Sequence, residues 1–224
     1  MPGCRGGDDT VTAQCSDQHA IFTGDGDDEV TTSAPGLGGT GAGADSITIT
    51  ATGTPWVDES FLNVQAGNGD DTINVTDTSA VETDKGAILI VAGAGDDVIT
   101  VGELGRAAMS IGAGAGADTI TTWSGQTIWL DDGPGADAPD EVTLNIAADE
   151  GDVAASTILF FGANDTVELP IDADLGGPVT FIDDPNGSLT SVRIGGIEVL
   201  LLSQNASGWA TDPRLSIVRD VAFT

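Results

Sequence analysis

Apolar and polar residues alternate in short runs along this chain. In FLNVQA (61–66) Leu62 and Val64 share one face, and in ILIVA (88–92) Ile88 and Ile90 do. MSIGA (109–113) pairs Met109 with Ile111, and IWLDD (128–132) pairs Ile128 with Leu130. A second set, Ile47 with Ile49, Ile73 with Val75 and Ile99 with Val101, follows the same rule. A period of two belongs to a strand with one face buried. No stretch carries the three-and-four spacing of an amphipathic helix. Between the two sets lies a short Gly-Asp segment. After the second set comes a segment of variable length: 53–59, 77–86, 102–106, 124–126. One unit therefore reads strand, Gly-Asp turn, strand, second turn, with the second turn absorbing insertions as loops do.

The Gly-Asp segment recurs as GDGDDEV (24–30), GAGADSI (41–47), GNGDDTI (67–73), GAGDDVI (93–99) and GAGADTI (114–120). The shared aspartates are Asp28, Asp45, Asp71, Asp97 and Asp118, at intervals of 17, 26, 26 and 21 residues. Degenerate copies flank them: RGGDDTV (5–11), the interrupted GPGADAPDEV (133–142) and GANDTV (162–167). Repeats of this length mean a solenoid, because one unit cannot bury its apolar face alone. The predicted fold is all-β: a right-handed parallel β-solenoid of two facing sheets with a thin aliphatic core. Residues 1–23 form an N-terminal cap with a degenerate first repeat, 24–167 the array, and 168–224 a C-terminal β cap.

Charge sharpens the picture. The chain has 36 Asp and Glu against 6 Lys and Arg, a formal net charge of −30. Nucleic acid is excluded as a partner, since phosphate is held by basic side chains, and an anionic membrane is disfavoured on the same ground. Such a chain tolerates its self-repulsion or binds cations that relieve it. The Gly-Asp turn suits the second course. Glycine permits positive φ and exposes backbone oxygen, and stacked turns bring carbonyls and Asp oxygens together. That is a hard-oxygen environment of the kind calcium takes, with 6–8 ligands. Zinc would need a His or Cys cluster that the sequence lacks.

These repeats resemble the calcium-binding RTX, or hemolysin-type, nonapeptide G-G-x-G-x-D-x-U-x, over roughly residues 5–167. The resemblance implies a parallel β-roll with calcium between successive turns. It implies side-chain oxygens from Asp28, Asp45, Asp71, Asp97 and Asp118. The carbonyl-bearing turns would be those at Gly24, Gly26, Gly41, Gly43, Gly67, Gly69, Gly93, Gly95, Gly114 and Gly116. Here the motif comes once per coil, so one calcium column along one edge is expected. Thr23, Thr40, Ala66, Ala92 and Ala113 replace the first glycine and are expected to face the core. Asp27, Asp70 and Asp96 are expected to face solvent or assist. The tail RDVAFT (219–224) resembles the C-terminal signal of RTX proteins exported in one step, consistent with the lack of a signal-peptide pattern at MPGCRGGDDT.

Other motifs carry little. GLGGTG (36–41) precedes SITIT, a strand, so it is no dinucleotide loop. DGDDE (25–29) lacks the sixth-position Gly and closing Glu of an EF-hand. His19 is the only histidine and has no nucleophile elbow to serve, and the scarcity of basic residues leaves a lyase without its base. The expectation is a protein that is not an enzyme. Trp123 and Trp129 alternate outward and are candidate contacts for a sugar or protein partner, while Trp56 lies in a loop. Cys4 and Cys15 would pair outside the cell and stay thiols inside it. No apolar run approaches the ~20 residues of a membrane span. The leading expectation is a secreted, calcium-stabilised structural, surface or adhesion protein. The alternatives are a virion decoration or fibre protein, and a carbohydrate-binding or carbohydrate-modifying module.

Overall fold

The computed structural model describes residues 6–14, 19–33, 36–51, 61–77, 87–102, 109–130, 138–146, 155–172, 175–183, 189–202 and 213–221. Every helix or strand among these is a strand, and none is a helix able to cross a membrane. The first sheet contains β1 (Thr10–Ala13), β3 (Glu29–Thr32), β5 (Ser46–Ala51), β7 (Thr72–Asp77), β9 (Val98–Val101), β11 (Thr119–Trp123), β13 (Glu141–Asn145), β15 (Thr166–Asp172) and β19 (Leu215–Val221). The second contains β2 (His19–Asp25), β4 (Gly36–Ala42), β6 (Phe61–Asn68), β8 (Ala87–Ala94), β10 (Met109–Ala115), β12 (Thr127–Trp129), β14 (Ser156–Leu159), β16 (Val179–Asp183), β17 (Thr190–Ile194) and β18 (Ile197–Leu202).

Up to β15, odd strands lie side by side in one sheet and even strands up to β14 in the other, all in parallel. That is the coil read from the sequence: even strand, Gly-Asp turn, odd strand, second turn. Parallel neighbours follow because each strand pairs with its counterpart one coil away. Along both sheets the register holds residue for residue. Ile47 sits beside Ile73, Ile73 beside Ile99 and Ile99 beside Ile120. Inward positions stack like on like, so period two in the sequence becomes continuous apolar columns.

Those columns meet in one core. Ile73, Val75, Ile99 and Val101 of the first sheet face Leu62, Val64, Ile88 and Ile90 of the second within a single buried cluster. Met109, Ile111, Ile128 and Leu130 are buried as the alternation predicts. Each fully buried aliphatic side chain contributes about 1.5–3 kcal/mol of transfer free energy. A coil supplies only a handful, so stability grows with the number of coils stacked.

The array runs slightly further than the sequence suggests. Val167, Leu169 and Ile171 still point into the core, and β15 pairs with β13 and β19. Beyond it, β16, β17 and β18 form an antiparallel meander, and β18 rejoins the parallel sheet beside β14. This is the C-terminal β cap. Arg214, just before β19, donates to the Gly162 carbonyl at 2.9 Å and stands 5.4 Å from the centre of the buried Phe161 ring, which ties the last strand to the β14–β15 connection. Arg214→Ala is expected to cost about 1–2 kcal/mol, from one charge-assisted hydrogen bond and one cation–π contact. Urea unfolding at fixed calcium measures it; an unchanged midpoint would leave β19 without this anchor.

Candidate metal centre

The Gly-Asp turn joins an even strand to the following odd strand, so successive turns stack along one edge of the solenoid. Two glycines fix the stacking. Gly67 and Gly93 have φ of +125° and +126°, a region that non-glycine residues rarely enter. A Cβ on Gly93 would lie 1.8 Å from the carbonyl oxygen of Gly67, and one on Gly67 1.8 Å from that of Gly41. Each turn thus rests its carbonyl on the bare Cα of the next. This is a stacking role for the motif glycines, beside the carbonyl-bearing role that the resemblance implies.

The motif aspartates Asp28, Asp45, Asp71, Asp97 and Asp118 are all buried and come together in a ladder. The amide of Asp28 donates to Oδ1 of Asp45, that of Asp45 to Asp71, and that of Asp71 to Asp97, each at 2.8 Å. Asp97 donates to Asp118 at 2.8 Å. Their carbonyls are used too: Asp45 O accepts from Thr72, Asp71 O from Val98 and Asp97 O from Thr119. The main chain and one carboxylate oxygen of each rung are therefore satisfied by the coils on either side. The other oxygen is different. Oδ2 of Asp28, Asp71 and Asp97 is buried with no hydrogen-bond partner.

The ladder is longer than the five glycine-complete motifs. The Asp118 amide donates to Asp140 and the Asp140 amide to Asp165, both aspartates being buried, and Asp9 donates into the ladder at Asp28. These three were missed as site residues because the copies at Asp9 and Asp165 lack one glycine and an insertion separates Asp140 from its two. The signal was present in the shorter frame Asp-x-Val, as Asp140-Glu-Val142 and Asp165-Thr-Val167.

A second row runs outside the first. Asp27, Asp70 and Asp96 are exposed. Their carboxylates accept amides from the following coil: Ala44 to Asp27, Asp96 to Asp70 and Ala117 to Asp96, each at 2.9 Å. Amides in the inner row donate towards the C-terminal coil, and those in the outer row towards the N-terminal one. Asp27, Asp70 and Asp96 thus face solvent as expected, and they also hold amides of the neighbouring coil. Thr23, Thr40, Ala66, Ala92 and Ala113 are all buried, again as expected. The Thr23 hydroxyl donates to Thr40 O, and the Thr40 hydroxyl to Ala66 O.

Burial is the largest influence on Asp45, Asp71 and Asp97. It raises the Asp45 pKa, against the Thr40 hydroxyl and the Asp28 amide that favour the ion, with the charges of Asp28 and Asp27 adding to the rise. For Asp71 burial, opposed by the Asp45 amide and helped by the charges of Asp45 and Asp70, lifts it to about 6. For Asp97 burial lifts it to about 7, opposed by the Asp71 amide and helped by the charges of Asp118, Asp71 and Asp70. Asp71 and Asp97 therefore hold their protons to a higher pH than an exposed carboxylate does.

Two features suit a hard cation here: buried carboxylate oxygens without a donor, and a column of like charges about 4.8 Å apart. One feature bounds the site. No three His, Cys, Asp or Glu side chains gather round a single point among the described residues. Carboxylates alone do not complete a calcium shell, and main-chain or water oxygens would have to supply the rest. Carbonyl oxygens already holding one hydrogen bond keep a second lone pair for that purpose.

Of the other sequence candidates, His19 begins β2. Trp123 and Trp129 both point outward and are half-buried. They lie on opposite sheets, in β11 and β12, and so on two separate faces. Cys4, Cys15 and Trp56 fall outside the described residues. No family model and no curated protein matches this chain.

Proposed function

We propose that this chain is a non-enzymatic, calcium-stabilised β-solenoid with a structural, surface or adhesive role outside the cytoplasm. The observation that carries the reading is the unpartnered, buried Oδ2 of Asp71 and Asp97 within a column of like charges. An asparagine ladder would cap the same amides without the charge. Carboxylates at these positions are costly unless protons or cations neutralise them. Asp28, Asp45, Asp71, Asp97 and Asp118 would hold the ion, with the stacked glycine turns keeping their spacing. Calcium would supply the positive charge that offsets these carboxylates. The residues themselves supply the rest of the mechanism: Oδ1 locks each coil to its neighbour, and the glycines allow close stacking. Folding and ion binding are then one linked equilibrium, because the column exists only when the coils are stacked. A low-calcium compartment would leave the array loose, and a calcium-rich exterior would close it.

Thermal unfolding followed by circular dichroism, in millimolar calcium and in chelator, tests this. At a hundredfold excess over Kd one site adds about 2.7 kcal/mol. At about 2–4 °C per kcal/mol for a domain of this size, Tm rises by roughly 5–10 °C. Magnesium, which demands tighter octahedral geometry, is expected to do less. Identical melting curves in calcium and chelator would remove the basis of the reading.

A further inference from the structure

The outer face of the first sheet carries a pattern that the metal ladder does not account for. One outward column reads Thr12, Thr31, Thr48, Asn74, Thr100, Thr121 and Thr143, paired residue for residue across seven coils. None of the seven is buried. Their hydroxyl or amide groups thus repeat about every 4.8 Å across the strands, and the next outward column lies about 6.6 Å along them. Thr50 and Thr76 extend the array on one side, and Ser46, Thr72 and Thr119 on the other.

Strand propensity is the plain explanation for threonine on an exposed strand, and a chain of net charge −30 gains by keeping like charges out of registered columns. Both arguments apply equally to the adjacent column. That column drifts through Thr10, Glu29, Ser46, Thr72, Val98, Thr119, Glu141 and Thr166. The central column keeps threonine in six of its first seven coils before it reaches Glu168 in β15. What distinguishes it is a hydroxyl and methyl at six of these seven coils, with the Asn74 amide at the seventh. Such a surface suits a ligand that is uncharged, hydrogen-bonding and periodic. A sugar chain would want aromatic platforms, and the column offers none; Trp123 stands at its margin, half-buried.

We infer that this threonine face binds crystalline water, the hydroxyls entering its hydrogen-bond lattice while the methyls shed ordinary hydration. The registered coils hold the groups in place beforehand, so little ordering remains to be done on contact. The inference is independent of the calcium reading, since it uses a sheet face and not the turn.

Ice-affinity partitioning of the full chain in calcium, with microscopy of growing ice crystals, tests it. The parent protein is expected to concentrate in the ice fraction several-fold over an unrelated soluble protein, and to shape the crystals. Thr100→Lys should abolish both effects. Gln65→Lys, at an exposed outward position of the opposite sheet, should leave both intact. Thr48→Val keeps the methyl and the β-branch, removes one hydroxyl and should weaken partitioning about twofold or more; it serves if the lysine variant does not fold by circular dichroism. Exclusion of the parent from ice would overturn the inference. So would equal behaviour of Thr100→Lys and Gln65→Lys, or threonine-dependent adsorption to crystalline cellulose without adsorption to ice.

Discussion

Gly93→Ala is expected to destabilise the solenoid by about 3–5 kcal/mol, enough to unfold its central coils under ordinary conditions. Two costs combine. Alanine must adopt φ near +126°, which costs on the order of 1–3 kcal/mol outside glycine. Its Cβ must also find room 1.8 Å from the Gly67 carbonyl oxygen, where the obstacle is backbone and cannot rotate away. Overpacking of this kind costs about 1–3 kcal/mol, and more when a main chain has to move. The neighbouring coil would shift, and with it the Oδ1 contacts that lock Asp71 to Asp97. Two companions separate the terms. Gly7→Ala meets the backbone cost alone, since φ is +112° and nothing lies within 4 Å of the added carbon. Gly102→Ala meets neither, because its nearest neighbours stand at 3.6 Å and its φ is ordinary. Urea denaturation in saturating calcium should rank them Gly93→Ala far worst, Gly7→Ala intermediate and Gly102→Ala within about 1 kcal/mol of the parent. A Gly93→Ala midpoint close to that of Gly102→Ala would mean the turns are not stacked as described.

The same turn shows what the sequence could and could not disclose. Period-two alternation was legible because a thin core buries one face of every strand, so Leu62, Val64, Ile73 and Val75 announce their direction. The solenoid followed from the repeat. Asp28, Asp45, Asp71, Asp97 and Asp118 were legible because two glycines frame each of them. Asp140 and Asp165 escaped that frame. At 133–142 an insertion separates the glycines from the aspartate, and at 162–167 only one glycine is left. The structural requirement, an acceptor for the preceding rung's amide, needs only the aspartate and the strand that follows. The division of the Asp28, Asp71 and Asp97 carboxylates into a bonded Oδ1 and an orphaned Oδ2 could not be read at all, since it depends on a partner 19 or 26 residues away in perfect register. The C-terminal cap was recognisable from its turn residues. Its antiparallel order was not, because Gly and Pro signals mark a reversal without saying which strand is met afterwards. The threonine column was hidden in plain view: each threonine is unremarkable alone, and only registration aligns them.

In chelator, the protein is expected to be most stable near pH 4 and to lose stability as pH rises towards 7. The direction follows from the inner ladder. Burial raises Asp71 from 3.8 to about 6 and Asp97 to about 7, so the folded chain holds protons there that the unfolded chain has released. A raised acid pKa gives stability that is complete below the unfolded value and is lost as pH passes up through the folded one. The window is therefore about pH 4–7, and the loss on the order of a few kcal/mol. A chain of net charge −30 also gains from general acidification, so the pH trend needs a control for position. Asp97→Asn keeps an Oδ1 acceptor for the Asp71 amide and places a donor among acceptors where Oδ2 stood. Asp70→Asn removes one charge from the exposed row instead. At pH 7 in chelator Asp97→Asn should be more stable than the parent by about 1–3 kcal/mol, with a flatter pH profile, and Asp70→Asn should change little. In calcium the order should reverse. The parent should hold its stability to pH 7, because bound cation competes with the proton for the same oxygens, and Asp97→Asn should gain less from the ion. Protein melting measured across pH 4–8 with and without calcium gives all six curves. If Asp97→Asn and Asp70→Asn trace the same profiles, burial at the inner row confers nothing that an exposed carboxylate lacks. The ladder would then be a device for stacking coils and not for holding charge.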